Sequence, residues 1–275
     1  MKYLSKYVFT LLAAGALLTA CSDDDSFSAG GQTNTDSLNV FFEVDQSIVM
    51  VSTATSFDFT VKRNKDNGAI SVPLTYHGED LTPFNLPQSV SFAAGEMQKT
   101  LTVTCNENME MFKNYRVEVI VDQAYTTQYK VQVDGFPRMT IDVVKEDYKA
   151  VATGVYTNAW NDQSEPATLE YSEILDMYRF KNITSGNITY DFSVGKEAYT
   201  EGDFAGMYPI TFGDGILTVG CATLWSHSTY GAVKIYGDES APSAYDAASK
   251  TYYLSIEFTV SAGSFGAYYD TFVAN

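Results

Sequence analysis

The stretch Ser56-Phe57-Asp58-Phe59-Thr60-Val61-Lys62-Arg63 decides the fold. Phe57, Phe59 and Val61 fall on one side of an extended chain, and Asp58, Thr60 and Lys62 on the other. Strict alternation at period two is the mark of a strand with one dry and one wet face. The pattern recurs in Ile70, Val72, Leu74 and Tyr76, and again in TLTVTC, YRVEVIV and YKVQV. Between the first two runs, Asp66-Asn67-Gly68 reads as a hairpin turn, because Asn and Gly accept positive φ. Further along, Ile188, Tyr190, Phe192 and Val194 share a face, as do Tyr252, Leu254, Ile256, Phe258 and Val260. Phe212-Gly213-Asp214-Gly215 reads as a turn leading into a strand, ILTVGC. Tyr171–Met177 is the one short helical candidate, and no run of ten or more residues keeps 3.6-residue spacing. The chain is therefore expected to be all-β, with two antiparallel β-sandwich domains. The break is expected near Lys145–Val151, where MTIDVV gives way to Lys145-Glu146-Asp147, so the domains span residues 39–146 and 150–275.

Composition limits the partners. The chain has 275 residues, with 17 basic and 34 acidic side chains. Such an acidic balance disfavours nucleic acid and polyanionic substrates. Neutral glycans, peptides and cations stay open. Cys105 and Cys221 each end an apolar run and read as separate free thiols. No CxxC or His/Cys spacing marks a metal site, and no cofactor is expected.

The first residues set the location. Lys2 and Lys6 precede an uncharged apolar run, Tyr7–Ala20, too short to span a bilayer. It ends in Leu18-Thr19-Ala20-Cys21, which resembles the lipobox of bacterial lipoproteins. The resemblance implies that residues 1–20 are a leader, that cleavage falls before Cys21, and that Cys21 carries palmitate-type acyl chains as a membrane anchor. Loss of the leader leaves 15 basic against 34 acidic residues. Ser22-Asp23-Asp24-Asp25 resembles the export signal of surface lipoproteins in Sus-like glycan-utilisation systems. That implies the extracellular face of an outer membrane. Residues 21–38 read as an acidic, flexible tether rich in Ser, Gly, Thr and Asn.

From Ser56 to Val121 the order of segments resembles the Calx-beta module. Phe92-Ala93-Ala94-Gly95-Glu96, followed by Lys99 and TLTV, is its most specific part. The resemblance implies an immunoglobulin-like sandwich that binds calcium or acts as an adhesive or spacing unit. The acids the family sets just before the strand read here as Tyr115–Val121 are replaced in part: Asn106, Glu107, Asn108 and Glu110 are followed by Lys113. Calcium wants six to eight oxygens, so a solvated loop and a spacer role are expected. Residues 151–275 resemble C-terminal β-domains of Sus-like lipoproteins, through TGVYTNAW, LDMYRFKNI and YDAASKTYYLSIEFTV.

Catalytic signatures are sparse. The only histidines are His77 and His227, and no nucleophile elbow or phosphate loop accompanies them. With 34 acids, pairs of carboxylates carry no information by themselves. A non-catalytic binding protein is expected. Sugar rings stack on exposed aromatics. The only tryptophans, Trp160 and Trp225, stand beside polar loops in the second half. Together with Tyr230 they are the candidate ligand-binding residues, with polysaccharide or oligosaccharide as partner. An adhesive or structural protein, with buried tryptophans and an exposed apolar patch, and a calcium-binding module are the alternatives.

Overall fold

The computed structural model describes residues 39–66, 68–126, 135–186 and 188–275. The leader, Cys21 and the tether lie outside the described residues. Among the described residues, the strands form three sheets in two units, each with its own apolar core. No helix among them is long and apolar enough to cross a membrane.

The first unit is a sandwich. One sheet runs β1 (Val40–Phe41), β3 (Ser56–Arg63), β7 (Gln98–Cys105), β5 (Phe84–Asn85). The other runs β2 (Gln46–Val51), β9 (Arg138–Glu146), β8 (Tyr115–Val121), β4 (Ile70–His77), β6 (Ser89–Phe92), with β2 and β9 parallel. The β3 alternation holds: Phe57, Phe59 and Val61 are buried, opposite Val103, Leu101 and Lys99. Arg63 is in phase with them and points inward too, its side chain fully buried. Its guanidinium donates to the carbonyls of Glu96 (2.6 Å), Ala93 (2.7 Å) and Gly68 (2.8 Å) and to Asp66 (3.1 Å). It also lies 5.0 Å from the Phe92 ring centroid. The Phe92–Glu96 segment is thus a turn wrapped around a buried cation, which satisfies the charge that burial would otherwise penalise.

Chain direction passes to the second unit through Asp147 and Tyr148. Asp147 accepts from the Ser172 hydroxyl and the Ile174 N–H. Arg179 lies 3.7 Å from the Tyr148 ring centroid and pairs with both Glu146 and Glu170 at 2.7 Å. Phe112, from the loop before β8, meets Tyr148 edge-on at 5.9 Å.

The second unit differs from two separate sheets facing each other. Its strands are β10 (Lys149–Asn158), β11 (Gln163–Ser172), β12 (Met177–Asn182), β13 (Ile188–Val194), β14 (Tyr208–Phe212), β15 (Cys221–His227), β16 (Gly231–Gly237), β17 (Ser243–Asp246), β18 (Thr251–Val260) and β19 (Gly263–Ala274). The pairing runs β10–β11–β12–β13–β14–β17–β18–β19 and returns from β19 to β10, all antiparallel. The two faces of the core therefore belong to one sheet rolled on itself, which leaves that ring no free edge. The β15–β16 hairpin extends the wall beyond β17, with β16 pairing the far half of β18. Closure depends on Gly154 in β10, where a side chain would collide with the Val273 carbonyl of β19.

Two local expectations are corrected. Tyr171–Met177 is no helix but a hairpin turn: Tyr171 pairs with Tyr178 and Ser172 with Met177, and the two tyrosine rings pack at 4.8 Å. ILTVGC is not one strand. Gly215–Val219 forms a single wide helical turn that buries Ile216, and Gly220 turns the chain at φ 70° before β15. Four alternating residues are too few to separate the two periodicities. Cys105 and Cys221 are free and half-buried, in separate units, and burial raises both thiols above their ordinary pKa.

Candidate functional site

Trp160 sits in the β10–β11 turn. Asn158 and Asn161 cap the turn through their side-chain oxygens, which accept from Asn161 N–H and Gln163 N–H at 3.2 Å. The Ala159 N–H donates to Asp270 of β19 at 2.9 Å, so the turn is fastened to the strand that neighbours β10. Trp225 lies in β15, at a register shift between Ala222 and Ser226, with its N–H on the Thr223 hydroxyl at 3.1 Å. Tyr230 lies in the β15–β16 turn. There His227 Nδ1 accepts from Thr229 N–H at 3.2 Å.

These three residues, 70 positions apart at the extremes by their numbering, meet on one patch. The Trp160 and Trp225 rings are 5.8 Å apart. Both stack on the buried Phe258, at 5.4 and 6.4 Å. Phe265, in β19, touches Trp160 (5.6 Å), His227 (5.1 Å) and Tyr230 (6.1 Å). The His227 ring stacks on Tyr230 at 5.0 Å. Both tryptophans are half-buried and Tyr230 is 48% exposed. The tryptophans are thus neither wholly core nor free platforms: one face of each braces the core and the rest meets water. Phe265 and His227 were missed as members of the patch. Gly263-Ser264-Phe265-Gly266 reads only as a turn, since the pairing of β18 with β19 is what carries Phe265 to Trp160.

Beside Trp225 a cavity of about 170 Å³ opens into the end of the rolled sheet. Tyr156 and Asn158 line it from β10, Gln163 and Glu165 from β11, with Thr184 and Trp225. Tyr156 and Asn158 also both donate to Asp270 Oδ2, at 2.7 and 3.0 Å, and the Tyr156 and Tyr190 hydroxyls share a proton contact at 3.2 Å. Burial pushes the Asp270 carboxyl up to about 6, only partly offset by the bonds from Ala159, Tyr156 and Asn158. Burial likewise holds the Tyr156 and Tyr190 hydroxyls well above the ordinary tyrosine range.

At the first unit, the acids of the Calx-beta-like loops are engaged by a cation from the chain itself. Lys113 Nζ is 2.8 Å from Glu110 and 2.9 Å from Asp80, and 4.8 Å from the Tyr115 ring centroid. No cluster of three or more His, Cys, Asp or Glu side chains suited to a metal occurs among the described residues.

No family model matches the chain, and no curated protein does. Solved structures resemble it. The apo-form Calx CBD1 domain is similar over 41% of this chain and 100% of its own, at 12% identity and a TM-score of 0.30. A multidomain protein including DUF1735 from Bacteroides ovatus is similar over 86% of this chain and 92% of its own, at 9% identity and a TM-score of 0.32. A protein of unknown function from the same organism is similar over 86% and 90%, at 8% identity and a TM-score of 0.33. At such scores the likeness carries no argument about function.

Proposed function

We propose that the chain is a non-catalytic binding protein, anchored through lipidated Cys21 to the extracellular face of an outer membrane, that recognises neutral glycan through its second unit. The observation that supports this reading is the convergence of Trp160, Trp225 and Tyr230 on one half-exposed aromatic patch next to a polar cavity. Aromatic faces beside hydrogen-bonding groups suit the C–H faces and hydroxyls of a sugar. The first unit serves as a spacer. A glycan array probed with the mature chain tests the reading: binding confined to neutral glycans supports it, and no signal on any neutral glycan overturns it.

An adhesive role is the second reading. Val49 and Val51 on β2 are 47% and 61% exposed, and a groove of about 650 Å³ runs between β2 and the start of β3. β2 pairs with β9 and ends its sheet, so it offers the strand edge that added strands use. Capture of a protein ligand that survives Trp160→Ala and is lost on Val49→Lys favours this reading over the glycan one.

A further inference from the structure

Asp270 is wholly buried in the rolled sheet, and every hydrogen bond of its side chain is one it accepts. Oδ1 takes the Ala159 N–H at 2.9 Å, and Oδ2 takes the Asn158 amide at 3.0 Å and the Tyr156 hydroxyl at 2.7 Å. The groups around it offer no counter-charge. β10 supplies Tyr156 and Asn158, β13 supplies Tyr190 behind Tyr156 at 3.2 Å, and β18 sets Leu254 opposite in register. Cys221 of β15 lies beyond Tyr190, and Glu165 of β11 lines the cavity that Tyr156 and Asn158 share. Among the described residues no Lys, Arg or His pairs with the carboxylate. Two of its three donors, Asn158 and Ala159, directly precede Trp160. The Asn158 side chain also accepts the Asn161 N–H, so it ties both ends of the turn.

We propose that Asp270 is a pH latch on the Trp160 turn: ionised, it holds the turn against the patch, and protonated, it lets the turn loosen. Hydrogen bonds to an ionised acceptor are roughly twice as strong as neutral ones, so one proton weakens both tethers of the turn together. The incoming proton lies on Oδ2 and faces Tyr156, the one partner that can accept as well as donate. Tyr156 then turns its own proton to Tyr190, and Oδ2 becomes a poorer acceptor for Asn158. The proton comes from water through the cavity whose wall includes Tyr156 and Asn158. Burial of the carboxyl brings this exchange to about pH 6. As pH falls through that value the fold as a whole gains stability, because the folded state takes up the proton more readily than the unfolded chain. The turn meanwhile loses its charge-assisted tethers. Local order and global stability therefore move in opposite directions, which a general acid weakening of the fold would not produce.

The only tryptophans are Trp160 and Trp225, so Trp225→Phe leaves Trp160 as the sole indole reporter. Its emission and its quenching by acrylamide are followed from about pH 8 to about pH 5, with the melting temperature taken at each step. The latch predicts red-shifted emission and stronger quenching at the acid end, with a midpoint at about 6, while the melting temperature rises. Asp270→Asn in the same background should hold the acid-side signal throughout. His227, the imidazole of the patch, touches Phe265 at 5.1 Å and Tyr230 at 5.0 Å, so a further variant separates its titration from that of Asp270. His227→Gln should leave the response unchanged. A Trp160 signal flat across the interval, a response lost with His227→Gln, or one kept by Asp270→Asn overturns the latch. The first two outcomes decide the matter even if Asp270→Asn fails to fold.

Discussion

Tyr156 donates its hydroxyl to Asp270 at 2.7 Å inside the closed sheet, and the same carboxylate receives the Ala159 N–H, one residue before Trp160. A buried ionisable group therefore holds the turn that presents one wall of the aromatic patch. Its environment also ties stability to pH.

The carboxyl of Asp270 moves from 3.8 to about 6 on folding. A raised carboxyl pKa means that the folded state favours the protonated form. Its contribution is complete below the unfolded value and is lost as pH rises through the folded one, about 3 kcal/mol in all. Other carboxylates act in reverse. Asp147 is raised by burial but lowered more by Ser172 and backbone N–H groups, and Asp238 behaves likewise through Ser240 and Ser255. Their support is lost as pH falls below the ordinary carboxylate range. The melting temperature should therefore rise from neutral pH toward about 5 and drop below about 4. Asp270→Asn should flatten the upper part of that profile. A wild-type curve flat between these limits contradicts the assignment.

Arg63 is fully buried and supplies the donors for three backbone carbonyls and Asp66. Arg63→Met keeps the apolar stem but leaves those carbonyls without their donor. The cost should be about 3 kcal/mol in urea unfolding of the first unit. Arg63→Lys should recover little, because an ammonium cannot reach partners spread around a planar fork. A loss under about 1 kcal/mol for Arg63→Met would show that water replaces the guanidinium freely.

Lys113 occupies the space between Asp80 and Glu110. Thr82 and Lys113 together hold the Asp80 carboxyl below its ordinary value. A ligand that binds only the folded state raises its melting temperature. Millimolar calcium should leave that temperature unchanged, whereas Lys113→Ala, which frees both acids, should admit a weak calcium response. A calcium-dependent rise in the wild type contradicts the spacer role.

The proposed membrane anchor is Cys21. Growth with labelled palmitate should label the wild type and not Cys21→Ser, and protease added to intact cells should remove the wild-type chain. Absence of label, or protection from protease, would contradict the location.

Much of the fold was legible because alternation over six or more residues has one physical solution. Phe57, Phe59 and Val61 in β3, and Leu254, Ile256 and Phe258 in β18, are buried as their spacing requires. What the sequence could not supply is which strand closes on which. Gly154 is the residue that lets β19 approach β10, yet a lone glycine in a strand has several possible causes. For the same reason the patch was legible in part. Trp160, Trp225 and Tyr230 stand out as aromatics beside polar loops, but Phe265 joins them only through long-range pairing. Short elements failed on local grounds: the Tyr171–Tyr178 pair outweighs a weak helical spacing, and Gly220 interrupts ILTVGC.

The most direct measurement is affinity electrophoresis of the wild type and the double variant Trp160→Ala, Trp225→Ala, side by side, in gels with and without each neutral polysaccharide. The account predicts that at least one polysaccharide slows the wild type, and that the variant, still folded by circular dichroism, runs unretarded there. Equal retardation of both proteins, or retardation of neither in any gel, would contradict it.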